Sequence, residues 1–111
     1  MLWTIIRLAV LIAVLTSSAK SEEGVASRYS TKSGTQAACG GMLNESALTA
    51  AHRSLPCGSR VRVTNRTNGR TVIVTVNDRG PFVSGCIIDL TPAAARVIEM
   101  TDLAPVWVVP D

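Results

Sequence analysis

The chain has 111 residues, the size of a single domain, with 47% hydrophobic, 17% charged and 4% aromatic residues and a formal net charge of +3. This balance excludes an extended disordered chain, and so few aromatic residues exclude a nucleic-acid surface built on base stacking. The mild positive charge permits contact with anionic polymers but does not require it.

Hydrophobic residues are concentrated at the N-terminus. Within residues 1–19 a single positive charge, Arg7, precedes an apolar run, and the small residues Ser17 and Ala19 follow it. This order predicts a secretory signal peptide over residues 1–19 and a mature domain over residues 20–111. The alternative is an uncleaved membrane anchor, but the uncharged run is well short of the ~20 residues that a spanning helix needs. We therefore expect a periplasmic or secreted protein with no lipid attachment and no stable membrane anchor.

The three cysteines, Cys39, Cys57 and Cys86, lie in the predicted mature domain. Disulfides persist outside the cytoplasm, so three cysteines allow one intramolecular disulfide and leave one thiol. The single histidine, His52, and the absence of CxxC or HxxxH spacing argue against a zinc site. We expect no metal and no cofactor.

The mature domain begins with a polar segment. We predict a strand over residues 24–30, then a loop, and a turn at residues 37–41 around Cys39. Residues 48–52 fit a helix or a strand on propensity alone. Residues 54–58 have the composition of a turn.

The clearest predicted element is a β-hairpin. Arg60–Asn65 alternates polar and apolar residues with period two, which predicts a half-buried strand, and residues 71–76 are a second β-branched run. Asn68 and Gly69 lie between them. This dipeptide is the strongest short signal for a hairpin turn, because both residues tolerate positive φ.

A charged loop and a short helix follow the hairpin. Residues 77–82 end the second strand with charges and a Gly-Pro pair, and Cys86–Leu90 is a predicted strand. Thr91 as N-cap, followed by a proline, predicts a helix over residues 92–100, and residues 104–109 form a last strand. Short strands with one small helix, without repeats or linkers, indicate a compact β-barrel.

Asp78 is a candidate for general acid–base chemistry. It ends an apolar strand beside a Gly-Pro loop, where a carboxylate can face a groove. The alternative is that Asp78 organises the loop through backbone hydrogen bonds and pairs with Arg79. Spacing alone favours the structural alternative.

His52 and Asp89 also have two interpretations each. His52 either serves a site or is a half-buried side chain hydrogen-bonded to the backbone. Asp89 lies between two apolar residues just before the predicted helix, where an Asp is more often structural. Residues 53–79 contain six arginines and one acidic residue, and Arg60 and Arg62 share a strand face that either meets an anionic polymer or is a solvated outer surface.

Five segments, in this order, resemble the rare lipoprotein A family of the bacterial cell envelope. They are LTAAHRSLP (48–56), RVRVTN (60–65), NGR (68–70), NDRGPF (77–82) and IIDL (87–90). The resemblance covers roughly residues 24–109, and a more distant one joins the chain to barwin and expansin domains. It implies an all-β fold, a six-stranded double-psi β-barrel with one short helix.

The resemblance also implies a lytic transglycosylase that cleaves peptide-stripped peptidoglycan glycan strands. The family's catalytic residues are a Glu, a His and an Asp. The His and the Asp match His52 and Asp78, but Gly41 occupies the position of the Glu. One carboxyl group can act as acid and then as base, so we expect Asp78 to carry catalysis with His52 assisting. Glu45 is the one nearby carboxylate that could replace the missing Glu, and we do not expect it to do so.

We expect a monomer that binds peptidoglycan glycan strands and no nucleic acid. The expected substrate contacts come from Tyr29, Arg53, Asn77, Arg79 and Asp89.

The barwin pattern implies a Cys39–Cys57 disulfide with Cys86 free, and pairing of Cys39 with Cys86 stays open. Gly41 keeps a second function open, that of a non-catalytic, expansin- or barwin-like glycan-binding module. A barwin-like inhibitor or defence protein has little support in these motifs.

Overall fold

The computed structural model of the protein describes residues 21–30 and 34–111. The predicted signal peptide lies outside the described residues. In chain order the elements are β1 (Glu22–Arg28), β2 (Thr49–His52), β3 (Arg60–Asn65), β4 (Thr71–Asp78), β5 (Cys86–Leu90), α1 (Pro92–Val97) and β6 (Leu103–Pro110). Across these described ranges, no helix has the length and hydrophobicity to cross a membrane.

The six strands close into a barrel in the order β1-β5-β2-β4-β3-β6. The pairs β1–β5 and β2–β4 are parallel, and the other four pairs are antiparallel. A closed barrel has no free sheet edge, so backbone groups along the strands find partners on both sides. The all-β prediction of a six-stranded barrel with one short helix is confirmed.

The core follows from the alternation seen in the sequence. Successive side chains of a strand point to opposite faces, and the apolar positions of β3 and β4 point inward. Burial of each such valine contributes about 1.5–3 kcal/mol relative to exposure. The buried positions are Val61, Val63 and Asn65 in β3 and Val72, Val74 and Val76 in β4.

The hairpin between β3 and β4 is confirmed, with antiparallel pairing from Arg60↔Thr75 to Thr64↔Thr71. Gly69 adopts φ 77°, the left-handed conformation that the turn requires. The buried Asn65 amide donates to the Ile98 carbonyl at 2.9 Å, so this polar side chain in the core is satisfied.

Several element boundaries differ from the predictions. Strand β1 covers Glu22–Arg28 instead of residues 24–30, and β6 covers Leu103–Pro110 instead of residues 104–109. Within residues 48–52, left between helix and strand, Thr49–His52 forms β2, because pairing with β4 and β5 decides what local propensity leaves open. Strand β4 continues past residue 76 to Asp78, which pairs with Ala51. The helix ends at Val97 instead of residue 100, because Glu99 takes φ 51° and interrupts the helical backbone.

Cys39 and Cys57 form a disulfide with a Cα–Cα distance of 5.7 Å, and Cys86 is a buried free thiol. The alternative pairing of Cys39 with Cys86 is therefore not formed. The Cys39 amide also donates to the Asn77 carbonyl at 3.1 Å. Together these bonds hold the 37–41 turn against the end of β4.

Candidate active site

Two neighbouring clefts open at the C-terminal end of β1, and the larger one also reaches the C-terminal end of β4. The larger cleft, of about 510 Å³, is lined by residues from these ends, from β5 and from the loop that follows Asp78. The smaller cleft, of about 280 Å³, is lined by residues that include Glu45 and Asp102. Arg28, Tyr29 and Ser30 line both clefts, so these residues form the wall between them.

Asp78 lies in the larger cleft with both carboxylate oxygens engaged. Its Oδ2 accepts a hydrogen bond from the Tyr29 hydroxyl at 2.9 Å, and its Oδ1 accepts one from the Ala38 backbone amide at 2.7 Å. One accepted hydrogen bond at each oxygen holds the Asp78 carboxylate in one orientation. The 37–41 turn that supplies the amide is held in place by the disulfide.

Tyr29 is the donor that orients Asp78. Burial raises the pKa of the Tyr29 phenol, and the hydrogen bond to Asp78 and the negative charges of Asp78 and Asp89 raise it further. The phenol therefore keeps its proton and its donor role at all physiological pH values. The Tyr29 amide donates to the Leu90 carbonyl at 2.7 Å, which fixes its backbone against β5.

Asp89 is a second carboxyl group in the larger cleft. It lies opposite Ser27 in the β1–β5 pairing, and the Ser27 hydroxyl donates to its Oδ1 at 3.2 Å. Burial raises the pKa of Asp89 to about 6, the Ser27 hydrogen bond opposes this shift, and the charge of Asp78 adds to it. Two carboxyl groups with different environments in one cleft are the arrangement that divides acid and base roles.

His52 is buried in β2, and both of its ring nitrogens are engaged. Its Nδ1 accepts hydrogen bonds from the Ser54 and Leu55 amides at 3.1 and 3.0 Å. The ring proton must therefore be on Nε2, which donates to Glu22 at 2.6 Å. His52 is not among the residues that line either cleft.

The predicted contact residues Arg53, Arg79 and Asn77 have mainly intramolecular partners. The Arg53 guanidinium donates to the Pro81 and Val83 carbonyls of the loop after β4 and to the Cys86 carbonyl at the start of β5, so it clamps that loop. Arg79 lines the larger cleft and donates to the His52 carbonyl at 3.1 Å. The Oδ1 of Asn77 is buried without a hydrogen-bond partner, and its carbonyl accepts from the Cys39 amide.

The arginine-rich strand face lies on the outside of the barrel. Arg60 and Arg62 are exposed and lie 3.6 and 3.9 Å from the Asp111 carboxylate. Arg66 pairs with Glu23 and stacks on the Trp107 ring, and Arg70 pairs with Glu99. Of the two interpretations of this face, the structure favours an ordinary solvated surface with ion pairs.

No group of three or more metal-ligating side chains occurs within residues 21–30 and 34–111.

A family model described as lytic transglycolase matches residues 21–108. This range holds the whole barrel except the last residues of β6, together with both cleft carboxylates. The chain belongs to this family.

Three similar curated proteins are named as peptidoglycan transglycosylases. "Probable endolytic peptidoglycan transglycosylase RlpA" of Nostoc sp. is 53% identical over 91 residues, which cover 78% of this chain and 24% of the relative. "Endolytic peptidoglycan transglycosylase RlpA" of Pasteurella multocida is 53% identical over 85 residues, covering 76% and 29%. The same-named protein of Yersinia pestis is 51% identical over 83 residues, covering 74% and 23%. The resemblance to rare lipoprotein A is confirmed, and the chain spans about a quarter of the length of these relatives.

Solved structures support the fold. An expansin of Clavibacter michiganensis superposes with a TM-score of 0.65 at 24% identity, covering 83% of this chain and 50% of the expansin. A papain inhibitor of Streptomyces superposes with a TM-score of 0.64 at 24% identity, covering 84% and 96%. The double-psi barrel and its distant likeness to expansins are confirmed.

The resemblance to the family places its catalytic Glu at position 41, which is a glycine in this chain. Gly41 lies in an exposed turn with φ +78°, and a side chain there would meet open space. Glu45 lines the smaller cleft and is not among the residues that line the larger cleft, where Asp78 lies.

Sequence reasoning did not find Arg28 and Ser27 as cleft residues, and it treated Asp89 as a contact residue with a structural alternative. The sequence did carry a partial signal for these cleft residues, because alternation along the predicted strand 24–30 places Ser27 and Tyr29 on one face. Their meeting with Asp89 and Asp78 depends on the β1–β5 pairing, which local pattern does not reveal. Phe82 also lines the larger cleft, with 81% of its side chain exposed.

Proposed function

We propose that this chain is an exported lytic transglycosylase of the bacterial cell envelope that cleaves peptide-stripped glycan strands of peptidoglycan. The observation that carries the proposal is the pair of carboxyl groups, Asp78 and Asp89, in one open cleft of a lytic transglycolase barrel. The names of the curated relatives support the same reaction and substrate. Cell-envelope or secreted localisation follows from the location of that substrate.

In the proposed reaction Asp89 is the acid and Asp78 is the base. Asp89 gives its proton to the glycosidic oxygen, and the bond from that oxygen to the anomeric carbon of the muramyl residue breaks. The 6-hydroxyl oxygen of the same sugar bonds to the anomeric carbon, and its proton goes to Asp78. The products are a 1,6-anhydromuramyl end and a new sugar hydroxyl, without consumption of water. Proton exchange with solvent restores both carboxyl groups.

The division of roles follows from the environments of the two carboxyl groups. Asp89, with a pKa raised to about 6, keeps a proton available in mildly acidic and near-neutral solution. Asp78 accepts hydrogen bonds at both oxygens, which suits a base that must be ionised and aimed. This division gives the chain two catalytic carboxyl groups without a Glu at position 41.

His52 is a positioning residue in this proposal. Its Nδ1 holds the turn at Ser54 and Leu55, and its carbonyl accepts from the guanidinium of Arg79, a residue that lines the larger cleft. Arg53 has a similar role, because it clamps the loop that forms one wall of the larger cleft. Tyr29 touches the reacting carboxylate and Phe82 offers an exposed ring for a sugar face.

A second candidate function is glycan binding without bond cleavage. Gly41 favours it, because the family's Glu is absent. A variant of the Clavibacter michiganensis expansin, 23% identical to this chain with a TM-score of 0.62 over half of the expansin, has been solved in complex with cellohexaose.

One experiment separates the two functions. Purified protein is incubated with amidase-stripped glycan strands, and mass spectrometry is used to look for 1,6-anhydromuramyl ends. We expect these ends with the wild type and their loss with Asp78→Asn and with Asp89→Asn. Strand binding without anhydromuramyl ends in the wild type would leave the binding module as the function.

A further inference from the structure

Arg28 is an exposed cation at the wall between the two clefts. It is the last residue of β1, and it lines the larger and the smaller cleft. In the part of the chain that the structure describes, its guanidinium has no ion-pair or hydrogen-bond partner. The other cleft arginine, Arg79, donates to the His52 carbonyl, and the outer-face arginines are paired with carboxylates.

Arg28 is the chain neighbour of two residues that hold the carboxyl groups of the larger cleft. Ser27 donates to Asp89, and Tyr29 donates to Asp78. Adjacent Cα atoms are about 3.8 Å apart, so the Arg28 backbone is one residue from each of these donors. A glycan that crosses from one cleft to the other passes the wall of residues 28–30, to which Arg28 contributes an exposed side chain.

Among the described residues of the two clefts, Arg28 is the cation whose guanidinium has no protein partner. In the smaller cleft the charged residues are Arg28, Glu45 and Asp102, and in the larger cleft they are Arg28, Arg79, Asp78 and Asp89. The carboxyl groups of Asp78 and Asp102 offer no attraction to an anionic group on a bound glycan. Arg28 offers such a group a guanidinium that no described residue engages.

Peptide-stripped and peptide-bearing glycan strands differ in one charged group near the sugar ring. When the stem peptide is removed by amide hydrolysis, the lactyl side chain of each muramic acid ends in a free carboxylate. When the peptide is present, the same carbon is part of a neutral amide. Guanidinium groups bind carboxylates through two parallel hydrogen bonds, and they gain much less from an amide.

We propose that Arg28 is a specificity residue that binds the free lactyl carboxylate of muramic acid and so selects peptide-stripped strands. This inference rests on the proposed function for its choice of glycan. It adds a residue and a chemical reason for the preference, and neither depends on which carboxyl group is the acid.

The test compares two substrates that differ only at the lactyl carboxyl group, which is charged in one and neutral in the other. One is amidase-stripped glycan, and the other is the same glycan with its lactyl carboxylates converted to methylamides. The variants are Arg28→Gln, which removes the charge, and Arg28→Lys, which keeps the charge without the planar fork. Arg96→Gln is the matched control, because Arg96 is exposed on α1, lines neither cleft and also lacks an ion pair in the described ranges.

We expect Arg28→Gln to lower kcat/KM on stripped strands about 10- to 100-fold, the value of a charge-assisted hydrogen-bonded contact, and to leave the methylamide substrate unchanged. Arg28→Lys should fall between wild type and Arg28→Gln, and Arg96→Gln should match wild type. Equal losses on both substrates, or no loss with Arg28→Gln, would overturn the role of Arg28.

Binding to the two strands, measured by fluorescence titration, separates this inference from the proposed function. If the wild type forms no anhydromuramyl ends but binds stripped strands more tightly than methylamide strands, and Arg28→Gln removes that preference, the Arg28 contact stands and the enzymatic function fails. If the wild type binds both strands equally, or binds neither, the Arg28 contact is wrong whatever the enzymatic result.

Discussion

The Tyr29 hydroxyl donates to Asp78 Oδ2 at 2.9 Å, between two residues that are 49 positions apart in the chain. Tyr29 directly follows β1 and Asp78 ends β4, and these two strands are not neighbours in the barrel order, so the hydrogen bond joins the two sides of the larger cleft and is not part of a strand ladder. Both ends of the bond are held independently, Tyr29 by the Leu90 carbonyl and Asp78 by the Ala38 amide. The orientation of Asp78, the proposed base, therefore depends on the closed barrel, which brings these distant residues together.

Tyr29→Phe should isolate what the hydrogen bond between Tyr29 and Asp78 contributes to stability and to catalysis. The ring keeps its packing and Asp78 loses one donor, so we expect a loss of about 1 kcal/mol in the free energy of unfolding and a fall of about tenfold in kcat with little change in KM. Urea unfolding and steady-state release of anhydromuramyl ends measure the two effects. An unchanged kcat with the expected loss of stability would show that the bond has only a structural role.

Asp89 should make the protein less stable as pH rises from about 4 to about 6. The pKa of an unperturbed Asp carboxyl is 3.8 and that of Asp89 in the folded protein is about 6, so in this window the unfolded chain releases its proton before the folded protein does. Deprotonation favours the unfolded state, and the loss is complete above about pH 6. Asp89→Asn should remove this slope and raise the free energy of unfolding at pH 7 by on the order of 1 kcal/mol, since solvent at the half-buried group screens part of the shift. Urea unfolding at several pH values tests it, and a wild type with no loss between pH 4 and 6 relative to Asp89→Asn would contradict it.

The same group should set the upper limb of the pH–activity profile. If Asp89 supplies the proton, kcat/KM falls about tenfold per pH unit above pH 6, because the acid form of the free enzyme is depleted. Asp89→Asn should lose most activity, and any residual activity should lack this limb. Asp78→Asn should be inactive at every pH. A wild-type profile that stays flat to pH 8 would assign the acid role to another group.

The sequence predicted what short-range pattern determines. Alternation and the Asn-Gly pair located the β3–β4 hairpin, and the Thr-Pro pair located the start of α1, because these signals depend on neighbouring residues. The environment of Asp89 was not predicted, because it depends on contact with Ser27, which is 62 positions away. The strand identity of Thr49–His52 was open for the same reason. Non-local pairing decides burial, and burial decides the pKa.

The Cys39–Cys57 disulfide should stabilise the fold and also hold Asp78, the proposed base, in its orientation. The two cysteines are separated by 18 positions, and closure of such a loop in the unfolded chain is worth about 3 kcal/mol. Cys39→Ser with Cys57→Ser should lose about this much in the free energy of unfolding, and kcat should also fall because the Ala38 amide is no longer held at Asp78. Cys86→Ala is the control, since it removes a buried thiol and keeps the disulfide. If the double variant keeps wild-type kcat while folded, the turn holds its position without the disulfide.

His52 should contribute to activity through position and not through proton transfer. Asn places its Oδ1 where the imidazole has Nδ1, so His52→Asn can still accept the Ser54 and Leu55 amides, and it loses only the bond to Glu22. His52→Ala leaves both amides without their acceptor and should cost about 2–4 kcal/mol in the free energy of unfolding. We expect His52→Asn to retain at least a tenth of wild-type kcat with an unshifted pH–activity profile, while His52→Ala loses both stability and activity. A stable His52→Asn protein whose kcat falls by a factor of about a thousand would instead place the imidazole in the chemical step.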